Sequence, residues 1–173
     1  MPFDYLSSVK NHFGQYKSLG DKTLEQLEET QLFWQYNAGS NSIAIIVQHL
    51  WGNMLSRWTH FLTEDGEKEW RERDAEFEKV IKTKEELIIK WDAGWDCLFS
   101  ALNSLNEADL DKTIYIRKEP LIVIDAINRQ LAHYSYHIGQ IVYLGEMQLN
   151  ERWHSLSIPK KDSPQISNES TNK

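Results

Sequence analysis

The chain has 173 residues, 40% of them hydrophobic and 26% charged, with a formal net charge of −7. That length and balance describe one ordinary globular domain, and the acidic excess excludes a protein that neutralises nucleic-acid phosphates with a basic face. No apolar run approaches the ~20 residues that span a bilayer, no basic-then-apolar leader opens the chain, and the lone Cys97 excludes an internal disulfide, so a cytoplasmic protein without membrane contact is expected.

Four long helices are predicted. Over residues 3–27, Phe3, Leu6, Val9, Phe13, Tyr16, Leu24 and Leu27 recur near a period of 3.6, the apolar stripe of an amphipathic helix. Gly20 weakens that helix without ending it. Residues 35–41 read as a loop. The second helix starts at Asn41 or Ser42, both good N-caps, and runs to Leu62, before a chain reversal at Gly66. The third opens at Thr83, where Thr83-Lys84-Glu85-Glu86 fits a capping box, and continues through Leu87, Trp91, Trp95, Leu98 and Leu102. Residues 112–117 alternate polar and apolar, the pattern of a short extended segment. The fourth helix begins at Pro120, a natural first-turn residue, and runs through Ile124, Ile127, Leu131, Tyr134, Ile138 and Leu144 to Gln148.

The connection at 64–82 is long and charge-rich. It can run the length of a helix and start the next one in the same direction, which favours an all-α, up-down-down-up four-helix bundle. One domain over 1–158 is expected, followed by a polar tail over 159–173. The seven tryptophans and seven tyrosines read chiefly as core.

Chemistry concentrates in three histidines. In the fourth helix His133 and His137 stand at i, i+4, so both imidazoles share one face, one turn apart. His49 lies near the start of the second helix. Three histidines leave a position open for water or substrate, as catalytic zinc sites do. The competing reading is ordinary: core histidines bonded to backbone carbonyls. Both readings acknowledge that polar groups on an apolar stripe need a partner. Asn53 and Ser56 share the face of His49, and Gln140 and Gln130 lie three residues from His137 and His133. Each can fix an imidazole tautomer or bind substrate, or can make a plain interhelical hydrogen bond.

The chain resembles the DinB/YfiT-like superfamily. The resemblance rests on Asn41-Ser42-Ile43-Ala44, on the run from His49 to Trp58, on Asp65-Gly66-Glu67-Lys68, on Arg71 to Phe77, and on the run from His133 to Ile141. It implies a metal-binding four-helix bundle in which His49, His133 and His137 hold one divalent ion, zinc or nickel. Relatives of that kind include mycothiol-dependent isomerases and bacillithiol S-transferases, and dimers occur among them. The branch with the Asp-Gly-Glu-Lys segment has no assigned reaction.

The function expected is therefore metal-dependent transfer, with a low-molecular-weight thiol activated for attack on a small-molecule electrophile. Metal-hydroxide hydrolysis of a small substrate and a metal-binding protein without turnover are the alternatives. No nucleic-acid or membrane partner is expected, and a homodimer is compatible with the resemblance. If the second and third helices are parallel, the crossover returns past the metal. Residues 71–77 then form a wall or lid, and Arg71 and Arg73 are its candidates for holding a substrate carboxylate. Arg57 is expected to pair with a crossover carboxylate. His60 stands too far along its helix to join the ion, His12 and His154 have no partner by spacing, and Cys97 is an inert thiol between Trp95 and Leu98. Ordinary histidine titration would weaken metal binding as pH falls through about 6.

Overall fold

The computed structural model describes residues 4–78 and 81–158, and these are mostly helical with one two-stranded sheet. Helix α1 (Tyr5–Gln26) starts where the Asp4 side chain accepts from Ser7 N. A single turn, α2 (Glu29–Leu32), follows. Helix α3 (Ile43–Trp58) is capped by Ser42, whose hydroxyl accepts from Ile45 N at 3.2 Å. Helix α4 (Lys84–Ser104) is capped by Thr83, which accepts from Glu86 N at 3.1 Å. Each cap satisfies an amide that the helix itself cannot. Strands β1 (Thr113–Ile116) and β2 (Glu119–Ile122) form an antiparallel hairpin that leads into α5 (Val123–Leu149).

Two helix boundaries differ from the sequence reading. Helix α3 ends at Trp58 rather than Leu62, because Thr59 is extended and His60 turns left-handed at φ 50°. The His60 carbonyl then accepts from Thr63 N and Glu64 N, closing a turn in place of the last helical turn. The last helix begins at Val123 rather than at Pro120, which lies in β2 opposite Tyr115. A two-stranded ladder is all edge, so a proline without an N–H is tolerated there. The extended segment found its partner in residues that a helix start had claimed. The turn between the strands puts Arg117 and Lys118 at φ 56° and 65°. Asp65 holds that left-handed turn from across the molecule, accepting from Arg117 N at 2.9 Å and Lys118 N at 2.7 Å. The predicted tail, 159–173, lies outside the described residues.

The four long helices share one core. At its centre the fully buried Tyr134 ring lies 6.0 Å from Phe13 and 6.1 Å from Trp95. Its hydroxyl donates to Asn53 Oδ1 and accepts from Trp58 Nε1, each at 3.0 Å, so the buried phenol is satisfied on both sides. Along α3 and α4 the contacts advance together: Gly94 faces Trp51 and Met54, and Cys97 reaches Met54 O and Thr59 Oγ1. Along α1 and α5 they also advance together, from Tyr5 against Asn128, through Gly20 against Ile138, to Thr23 against Gly145. No helix among the described residues is long and apolar enough to cross a membrane.

The connection from α3 to α4 is irregular but pinned to α3. Gln48, buried in α3, donates its amide to the carbonyls of Ala75, Glu76 and Glu78 at 3.0, 2.9 and 3.1 Å. Its own oxygen accepts from Ile81 N at 3.2 Å. Ser56 Oγ donates to Gly66 O and accepts from Lys68 N, and Arg57 donates to Gly66 O and pairs with Glu67 at 3.0 Å. Replacing Gln48 by Ala strands buried backbone groups, at a cost of about 1–3 kcal/mol each in the least compensated case. Urea unfolding of Gln48→Ala should show a loss in that range, with faster amide exchange at Ile81. Unchanged exchange there would refute the pinning.

Candidate metal centre

His49 lies two turns into α3, on a helix whose residues are all buried except Trp51 and Leu55. His133 and His137 project from successive turns of α5. The three rings meet edge to face, with centroids 5.4 Å (His49–His133), 5.0 Å (His49–His137) and 4.8 Å (His133–His137) apart. One ring nitrogen from each lies within 4.8 Å of the others, a group that can hold a metal ion.

Neighbours of the rings set which nitrogens face the shared point. Glu76 Oε2 lies 2.8 Å from His49 Nδ1. Burial would raise the pKa of Glu76, but hydrogen bonds from His49 and Arg71, with the Arg71 charge, outweigh it and hold the carboxyl below its ordinary value. An ionised carboxylate only accepts, so His49 donates from Nδ1 and keeps a lone pair on Nε2. Gln140 Oε1 lies 2.8 Å from His137 Nδ1 and fixes that ring in the same sense. His49 Nε2 and His133 Nε2 are 3.3 Å apart, the separation of about 3.3–3.4 Å that two nitrogens take on one tetrahedral ion at 2.0–2.1 Å. A shared proton could satisfy that pair. It cannot also satisfy His137 Nε2, which is buried and has no hydrogen-bond partner. One divalent ion satisfies all three nitrogens, and the donor set fits it.

The chain belongs to the DUF1572 family, a protein family of unknown function. The family's profile matches residues 1–162. No curated protein matches this family member.

Burial pushes the His133 imidazole down to about 3, helped by His137, His49 and the guanidinium groups of Arg57 and Arg71. Burial also pushes His137 down to about 4, against the hydrogen bond to Gln140. Both ligands are therefore neutral well below the pH near 6 expected from free histidine, and protons compete with a metal for them only in more acid solution.

The structure separates the other candidates. Gln140 is in the site, on His137. Asn53 instead accepts from Tyr134, and Ser56 ties Gly66 and Lys68 of the crossover to α3. Sharing a face with His49 does not bring them to the rings, because almost every face of α3 is buried. Arg71 is not open to a substrate: its side chain is 2% exposed, and it donates to Glu76 Oε1 at 2.7 Å and Oε2 at 2.9 Å. Arg73 is exposed and forms no ion pair among the described residues. Its charge opposes the upward shift that burial gives the Tyr136 phenol. Two half-open aromatic rings border the histidines: Phe77 stacks on His49 at 5.1 Å, and Tyr136 lies 4.1 Å from His137. Gln130 is buried in α5. His60 lies past the end of α3, and His154 meets Gln26 through its backbone.

Glu76 is the site residue that sequence reasoning missed. It arrives from a 3-10 turn, Asp74–Phe77, 27 positions from His49, so no helical spacing relates the two. A partial signal existed in Gly52, one turn past His49, because a Cβ there would collide with the Glu76 carboxylate.

Two outcomes follow. Glu76→Gln should lower metal affinity by about 10–100-fold, the usual effect of removing a ligand's orienting carboxylate. Gly52→Ala should lower it in the same direction by displacing Glu76, with helical circular dichroism retained in both. Unchanged affinity in both would remove Glu76 from the site. The second outcome concerns the metal-free protein. Because His133 and His137 titrate at about 3 and about 4 when folded and near 6.5 when unfolded, the unfolded chain binds more protons below about 6.5. Stability should thus fall as pH drops from about 6.5 towards 4. Urea unfolding in chelator should show a shallower fall for His133→Gln/His137→Gln than for the wild type, and parallel curves would contradict the assignment.

Proposed function

We propose that this DUF1572 protein is a DinB/YfiT-like metal protein that binds one zinc or nickel ion through His49, His133 and His137 and activates a low-molecular-weight thiol for transfer to a small electrophile. The bundle we assign runs up-down-down-up. Its support is the order of contacts, advancing together along α3 and α4 and along α1 and α5. The observation that carries the functional reading is the buried, unpartnered His137 Nε2 facing two further imidazole nitrogens.

A divalent ion on three neutral nitrogens supplies a positive field that lowers the pKa of a thiol or water in its open position. The carboxylate bonded to His49 leaves that field intact, since the Glu76 charge is matched by Arg71. The same pairing favours thiol chemistry over hydrolysis. Glu76 is committed to His49 and Arg71 and is not free to act as a general base. A thiol, with a pKa of about 8.5, needs far less help to ionise than water at about 15.7. Phe77 and Tyr136 give the open side an apolar border, and Arg73 adds the nearby positive charge suited to an anionic group.

Cobalt-substituted protein tests this reading. One ion per chain is expected, and a small thiol should add a sulfur-to-cobalt charge-transfer band in the near ultraviolet. His137→Ala should lose both ion and band while keeping its helical content. Bound metal without the thiol band would favour a hydrolase or a protein without turnover. Full metal occupancy in His49→Ala, His133→Ala and His137→Ala alike would end the proposal.

A further inference from the structure

The Asp65-Gly66-Glu67-Lys68 segment is tied to the hairpin on one side and to α3 on the other. Asp65 accepts from Arg117 N and Lys118 N in the hairpin turn, and Gly66 N donates to Tyr115 O at 2.8 Å. On α3, Ser56 and Arg57 donate to Gly66 O, and Lys68 N donates to Ser56 Oγ. A Cβ on Gly66 would lie 3.1 Å from Ile116 Cγ1 and 3.3 Å from Arg57 Cδ, so the glycine permits both approaches. These bonds place the backbone. They do not account for the Glu67 side chain.

Glu67 sits among three guanidinium groups. Its Oε2 accepts from Arg57 Nη2 and from Arg117 Nε, each at 3.0 Å, and its Oε1 lies 3.6 Å from Arg71 Nη1. Burial would raise the pKa of Glu67, but Arg57, Arg71 and Arg117 hold the carboxyl below its ordinary value. The side chains of Arg57 and Arg71 are 6% and 2% exposed, and the charge of Arg71 disfavours that of Arg57. Arg71 also forms the two-bond fork on Glu76, whose Oε2 accepts from His49 Nδ1. Glu67, Arg71, Glu76 and His49 thus stand in one line of contacts. Without the Glu67 charge, two buried cations would be left with one carboxylate, a costly arrangement that moving Arg71 away from Glu76 relieves.

On the reading of the three histidines as a metal centre, we propose that Glu67 is a positioning residue of that centre, holding Arg71 on Glu76 and so fixing His49 as a ligand. The fork of Arg71 sets the angle of the Glu76 carboxylate, and that carboxylate sets the ring and the tautomer of His49. Arg117 has a different part. It ties Glu67 to the hairpin turn, and its side chain is 54% exposed, so the pair adds little.

Zinc competition titrations on the full chain separate these roles. Glu67→Gln should lower zinc affinity by about 3–10-fold, less than Glu76→Gln because it acts one contact further from the ligand. In the Glu76→Gln background, Glu67→Gln should lower affinity by less than about twofold more, since its route to His49 is already cut. Arg117→Ala should stay within about twofold of the wild type. In metal-free protein, the His49 Nδ1 proton, followed by nitrogen-15 NMR, should exchange with water faster in Glu67→Gln than in the wild type or Arg117→Ala. Full additivity with Glu76→Gln, an equal loss in Arg117→Ala, or unchanged affinity in Glu67→Gln overturns the proposal. A wild type that binds no zinc ends the metal reading, and exchange of the His49 proton then decides the link to Glu67 alone: an unchanged rate in Glu67→Gln ends that too.

Discussion

Three imidazoles, two buried and one half-buried, that converge within 4.8 Å of one another impose the constraint on which this structure depends. A polar nitrogen removed from water costs free energy unless something donates to it. Here Glu76 and Gln140 take up the N–H groups of His49 and His137, so the nitrogens left facing inward have only lone pairs to offer. A hydrogen bond between His49 and His133 still leaves His137 Nε2 without a partner. The three nitrogens lie close enough together to hold a metal ion, which would supply that partner.

The rest of the fold arranges for that convergence. Helix α3 brings one ring and α5 two, and the irregular connection to α4 returns past them with Glu76. That return is held by Gln48 on three backbone carbonyls, by Ser56 and Arg57 on Gly66, and by Asp65 on the hairpin turn. Gly52 leaves the space in which the carboxylate sits, and Arg71 keeps that carboxylate charged. The crossover is thus part of the centre through a side chain, rather than a loop passing over it. Arg71, a candidate substrate anchor by its charge, instead holds Glu76 from behind.

The sequence displayed the long helices because their apolar stripes are periodic, and it displayed His133 and His137 because one helix fixes their spacing. It displayed His49 only as a histidine on another helix; that the rings meet is a tertiary fact. Glu76 was illegible for the opposite reason, since it stands on a single 3-10 turn, Asp74–Phe77, too short to show a period and far from His49 in sequence. For Asn53 and Ser56 two readings stay open in the sequence, because helix geometry reports which residues share a face and not what that face touches. On α3 nearly every face touches something. The last helix was read three residues too early because Pro120 suits a helix start and a strand edge equally well, and only the pairing of β2 with β1 decides between them.

X-ray absorption at the zinc edge of reconstituted protein addresses the central claim most directly. The account predicts a first shell of three nitrogen scatterers at about 2.0–2.1 Å with one light exchangeable atom, and a sulfur scatterer at about 2.3 Å once a small thiol is added. A shell already closed by four protein ligands, or one that survives unchanged in His137→Ala, would contradict it.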